Sequence, residues 1–121
     1  KLAHRPPPPP RSAGEAERRF VMKYHRQREK ALPFMINELK FFAEARRCEI
    51  NGIRWYPSRN IYNRVEAEIR LASTLGVITT REEYYFMCCV QMVYVNDFAK
   101  FDYYLDCLNA EITPLDKNKC S

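Results

Sequence analysis

Apolar positions recur at helical rather than strand spacing along most of this 121-residue chain. Ile61, Val65, Ile69, Ala72 and Leu75 fall three and four apart, the signature of one helix face, in a segment that follows Pro57. Ser58 is placed to cap its start, and Gly76 to close it in a left-handed conformation. Tyr84 to Val95 is apolar nearly all round, which predicts a central, buried helix. Thr80-Arg81-Glu82-Glu83 reads as its capping box, with the threonine and Glu83 satisfying each other's amides. After a turn at Asn96 and Asp97, Phe98, Phe101, Leu105 and Leu108 share a face with Tyr104 beside it, to about Ala110. Pro114 is expected to stop this helix and leave 115–121 as a polar tail.

Upstream the apolar pattern thins. Residues 15–31 are good helix formers, with Glu15 and Glu17 at the positive end of the helix dipole. Phe20, Val21 and Tyr24 make a narrow stripe among Arg18, Arg19, Lys23, Arg26, Arg28 and Lys30. So narrow a stripe predicts a helix facing something polar or anionic, or a solvated basic helix. Leu32 and Pro33 are expected to break it, with Pro33 opening a second helix that reaches about Cys48. That helix carries Phe34, Ile36, Leu39, Phe41, Phe42, Ala43 and Ala45, then Arg46 and Arg47 near its negative end. Asn51 and Gly52 turn the chain, and Trp55, Tyr56 and Pro57 continue an irregular connector.

The run Pro6 to Pro10 favours polyproline II, because each proline fixes φ and lacks a backbone donor. Residues 1–14 therefore form an extended arm bracketed by Arg5 and Arg11, either a spike laid on a partner (an SH3-type ligand among the options) or a spacer. The expected fold is all-α with about five helices, the C-terminal ones forming a repeat-like αα-hairpin. Its parts are the arm 1–14, a helical domain 15–114 and the tail 115–121. Within that domain lie a basic helix at 15–31 and a helical core at 33–112.

Composition sharpens this. Only three glycines disfavour a β-rich fold and any glycine-rich phosphate loop. The net charge of +5 conceals a skew: residues 1–47 carry +7 and residues 48–121 carry −2. Such a skew suggests nucleic acid, an anionic membrane surface or an acidic protein. Five cysteines form no CxxC pair, and the histidines are His4 and His25 alone, so no zinc spacing is present and reduced, mostly buried thiols are expected. No stretch approaches the length of apolar chain that spans a bilayer, and no integral span is expected. The first residue is Lys1, which either removal of an organellar targeting peptide or trimming accounts for.

Nothing in the text points to catalysis, a cofactor or a metal. Glu66 and Glu68 sit two apart on a helix and point to different faces, and the vicinal Cys88 and Cys89 suit burial better than redox work. The positive feature is aromatic density. Eight tyrosines, seven phenylalanines and one tryptophan exceed what a core of this size absorbs, so some are expected to anchor interfaces. The candidates are Trp55, Tyr56, Tyr62, Tyr85 and Tyr103, with Trp55 and Tyr56 in a turn beside Arg54 and Arg59. Arg5, Arg11, Arg18, Arg19, Lys23, Arg26, Arg28 and Lys30 are the candidate contacts to RNA or another anion.

The last two helices resemble a unit of the pentatricopeptide family, helical hairpins about 35 residues long. Tyr84 to Tyr94 matches the first helix, Asn96 the turn, "DFAKFDYYLDCL" (Asp97 to Leu108) the second helix, and Ile112-Thr113-Pro114 the closing junction. Gly76-Val77-Ile78-Thr79 resembles the preceding junction, and the resemblance spans about residues 58–116. It implies an αα-hairpin of a kind frequent in organellar RNA machinery. Family members that read RNA use polar residues near the start of the first helix, where this chain has Phe86, Met87, Cys88 and Cys89. Packing against other helices is what the resemblance keeps.

Together these features suggest a non-catalytic structural subunit of a mitochondrial ribosome, in the matrix. The arm and basic helix would meet rRNA phosphates, and the aromatic hairpin would meet neighbouring helical proteins. An accessory subunit of a mitochondrial respiratory complex or ATP synthase, and an RNA-processing adaptor, are the alternatives.

Overall fold

The computed structural model describes residues 25–119, with side chains to residue 112. The arm, most of the basic segment and the end of the tail lie outside the described residues. Among the described residues there are four α-helices and no strand: α1 (His25–Ile50), α2 (Ser58–Thr74), α3 (Thr80–Tyr94) and α4 (Phe98–Lys119).

Two proline positions depart from expectation. Pro33 lies inside α1, so residues 25–50 are one helix and not the end of one and the start of another. A proline removes one amide donor and crowds the preceding turn, but Pro33 sits on the exposed side of α1, where solvent reaches the backbone. On the opposite side Arg28, Leu32, Met35, Leu39 and Phe42 are all buried at spacings of three and four, and that continuous contact carries the helix through the break. Pro114 likewise fails to stop α4, whose backbone stays helical to Lys119. The donor it removes would have met Ala110, which is exposed.

The turns follow stereochemical demand. Gly52, Gly76 and Asn96 take positive φ of 74°, 76° and 64°, one in each inter-helix connection. The helix α2 ends as expected, with Gly76 just past the C-cap Leu75, although Leu75 itself is exposed and not part of the buried face. The capping box of α3 falls one residue earlier than the text suggested. Thr79 is the N-cap, its hydroxyl accepting from the Glu82 amide at 3.1 Å while Glu82 accepts from the Thr79 amide at 2.9 Å.

The helices pack as two hairpins, α1 with α2 and α3 with α4, and α3 also touches α1 and α2. Phe86, Cys89, Val90 and Val93 of α3 are fully buried, so the apolar helix is central as its composition required. Leu39 and Phe42 of α1, Ile61, Val65 and Ile69 of α2, and Phe101, Tyr104 and Leu108 of α4 close around it. Each large side chain buried in this way contributes about 1.5–3 kcal/mol. Near its start α1 touches the start of α3 through Arg28 and Glu82; near its end it touches the end of α3 through Arg46 and Tyr94. The two helices are therefore parallel, as first helices of successive hairpins.

Candidate interaction site at the α1–α2 turn

Arg28, expected to meet an anion outside the protein, is instead completely buried. Its guanidinium donates to both carboxylate oxygens of Glu82, at 2.8 and 2.5 Å, and to the Val77 carbonyl at 3.0 Å. The reason is geometric: once α1 continues through Pro33, Arg28 lies on the same face as Leu32 and Leu39 and must find a charge partner indoors. Of the other expected anion contacts, Arg26 and Lys30 are exposed on α1, and Arg5, Arg11, Arg18, Arg19 and Lys23 lie outside the described residues.

The five candidate interface residues fall into three places. Trp55 and Tyr56 stand in the α1–α2 connector against Phe41, with ring centroids 5.1 and 5.2 Å away in edge-to-face geometry. Despite that support Trp55 is 52% exposed and Tyr56 46%. Tyr62, half-buried on α2, leans on Phe42 below and on Tyr94 of α3 at 5.6 Å. Tyr85 and Tyr103 belong to the α3–α4 face, Tyr85 against Tyr84 at 5.3 Å and Tyr103 against Tyr104 at 5.0 Å. Tyr103 is half exposed, whereas Tyr85 is half-buried and burial pushes its phenol above the ordinary range.

The first two places share one end of the molecule, where α1 and α3 finish and α2 and α4 begin. A web of polar contacts sets its shape. The Glu49 carboxylate accepts from the Ser58 amide at 2.7 Å and the Ser58 hydroxyl at 2.6 Å, so α2 is capped by a side chain from α1 and not by Ser58, the expected N-cap. The N-cap position is Pro57, whose ring has no hydrogen-bond acceptor to offer. Those donors, with Arg46 nearby, hold the Glu49 carboxyl below its ordinary range. Arg46 donates to the Asn96 side chain at 2.8 Å and reaches the Tyr94 carbonyl at 3.5 Å. Arg47 lies over the Phe98 ring at 4.7 Å. Arg64 donates to Glu38 at 2.7 Å and passes the Phe41 ring at 5.9 Å.

Two hollows open between these groups. One, of about 500 Å³, runs along the connector from Glu49 and Gly52 to Trp55 and Pro57. The other, of about 480 Å³, has Phe42 and Tyr62 in its walls, Tyr94 at one side, and Arg46, Arg59 and Asn63 around it. Arg54 and Arg59 make no hydrogen bond or ion pair among the described residues. Tyr94, 57% exposed, and Phe41 were not among the expected contact residues, because a ring inside an apolar helical segment looks like core until the helix end is located.

Elsewhere the described cysteines are unbonded, with Cys88 and Cys89 buried and Cys48 and Cys107 half-buried. Burial raises the thiol pKa of both vicinal cysteines. The described residues hold no group of three or more His, Cys, Asp or Glu placed to bind a metal. No described helix is long and apolar enough to cross a membrane. Comparison with known proteins returns no matching family model, curated protein or solved structure.

Proposed function

We propose that this chain is a non-catalytic structural subunit of a ribonucleoprotein assembly, a mitochondrial ribosome, working by contact with RNA and neighbouring helical proteins. The observation that carries the reading is the turn end of the molecule. There Trp55, Tyr56, Tyr94, Ile50, Ile53 and Val95 are each about half exposed, with Arg54 and Arg59 beside them. Aromatic rings and arginines with few competing carboxylates are what desolvated interface centres are made of. Trp55 is held by neighbouring rings in the free chain, so a partner gains its area without first ordering it.

The charge skew supplies the RNA side of the reading. Arg5, Arg11, Arg18, Arg19 and Lys23, continued by Arg26 and Lys30 on α1, form a basic series suited to phosphates. Arg28 drops out of it. The paired hairpins support the likeness to pentatricopeptide units, with one difference: Arg28 and Glu82 meet at a separation of 54 and Arg46 and Tyr94 at 48, longer than a 35-residue repeat provides. The extra length lies in α1 and the aromatic connector.

Gradient sedimentation of the tagged full chain from mitochondrial extract tests the proposal. Comigration with ribosomal particles that collapses after RNase treatment is the expected result. Migration with a respiratory complex, unmoved by RNase, would overturn it. Trp55→Ala is expected to weaken incorporation with the fold intact.

A further inference from the structure

The hollow between α1, α2 and the end of α3 gives Tyr94 and Arg59 of the contact surface a more specific setting. Its apolar walls are rings, Phe42 and Tyr62, and Tyr94, also in its lining, is more than half exposed. Arg59 and Asn63 stand one helical turn apart on α2, which puts them on the same side of that helix. Neither has a hydrogen-bond partner among the described residues. Arg46 is already committed to Asn96 and Tyr94, so it fixes the rim and Arg59 is the guanidinium left to bind.

We infer that this hollow is a site for one nucleotide. The base stacks on the exposed Tyr94 ring, the Asn63 amide meets a base edge, and Arg59 pairs with the phosphate. The chemistry is that of single-strand recognition, in which an aromatic face takes any base and a guanidinium takes the backbone. The volume, about 480 Å³, falls within the range of small-ligand pockets. Tyr62 and Tyr94 already touch, with centroids 5.6 Å apart, so the base lies against Tyr94 and does not insert between the two rings. The inference rests on the reading of this chain as an RNA-bound subunit, and it places one specific contact beside the diffuse basic one.

Binding of the full chain to a fluorescent single-stranded oligonucleotide, and to an abasic strand of equal length, separates the two. Tyr94→Ala and Tyr94→Phe are compared, with thermal unfolding as the check on folding. The base-bearing strand is expected to bind about 5- to 150-fold tighter than the abasic one, the range of one stacking contact. Tyr94→Ala should erase that preference, and Tyr94→Phe should keep it. NMR shifts of the Asn63 side-chain amide on adding uridine monophosphate, weakened in Arg59→Ala, would show that a free nucleotide enters. The same shifts with the strand alone would show that only a nucleotide within RNA does; either result supports the site. Equal binding of both strands by the parent chain, or a preference that survives in folded Tyr94→Ala with Asn63 unshifted, overturns the site while leaving RNA binding standing. Failure to bind either strand sinks the site and the RNA-bound reading together.

Discussion

Arg28 and Glu82 lie 54 positions apart and form a two-pronged ion pair with neither side chain exposed. The same carboxylate closes the capping box of α3, so one group joins the first helix to the start of the central one. Removing one charge strands the other in the core, which costs more than the pair itself contributes. Arg28→Met is expected to destabilise by about 3–5 kcal/mol in denaturant unfolding. Adding Glu82→Gln, which removes the stranded charge and keeps an acceptor for Thr79, should restore about half of that loss or more.

Pro33 gives a test of the continuity of α1. In an unbroken helix, Pro33→Ala restores a donor and relieves crowding, raising stability by about 1–3 kcal/mol in the same assay. If two helices met at Pro33, the proline would be favourable at a first-turn position and alanine would bring no gain.

The Glu49 cap on Ser58 makes part of the stability depend on pH. Its carboxyl lies below the ordinary value of 4.5, so its contribution is fully present above that value and is lost as pH falls through the lower folded-state value. The stability gap between the parent chain and Glu49→Ala should therefore be widest near neutrality and shrink on acidification below about pH 4.5. A gap independent of pH would show that the carboxylate charge plays no part in the cap.

Thiol labelling reads the central helix. Cys88 and Cys89 are buried and their thiols are shifted up, which keeps the reactive thiolate scarce. Timed alkylation with peptide mapping should find Cys48 modified well before the peptide holding Cys88 and Cys89. Early labelling of that peptide would mean that α3 is not enclosed.

The helical class, the central place of α3 and the turns at Gly52, Gly76 and Asn96 were legible because each follows from local chemistry: spacing, all-round apolarity, and tolerance of positive φ. Register at the start of α3 was not, since Thr79 with Glu82 and Thr80 with Glu83 both satisfy the capping pattern. The tie is broken by Arg28, whose guanidinium needs Glu82 indoors. Pro33 misled for a related reason: local preference argues for a boundary, and only the buried series from Arg28 to Phe42 outweighs it. Treating the proline as a break hid that series and left Arg28 looking like one more surface cation. The irregular connector that holds Trp55 and Tyr56 was readable from its turn residues and Pro57. The pairing of Tyr94 with Tyr62 was not, because it depends on which helix ends come together.

The two arginine contacts between α1 and α3 also fix a length. Arg28 and Arg46 are eighteen residues apart, about five turns at 3.6 residues per turn, so they project from one side of α1. A single residue inserted or deleted between them would swing one end by about 100° and unhook it. That stretch of α1 behaves as a ruler cut to whole turns, able to change sequence freely on its outer side but not to change its count.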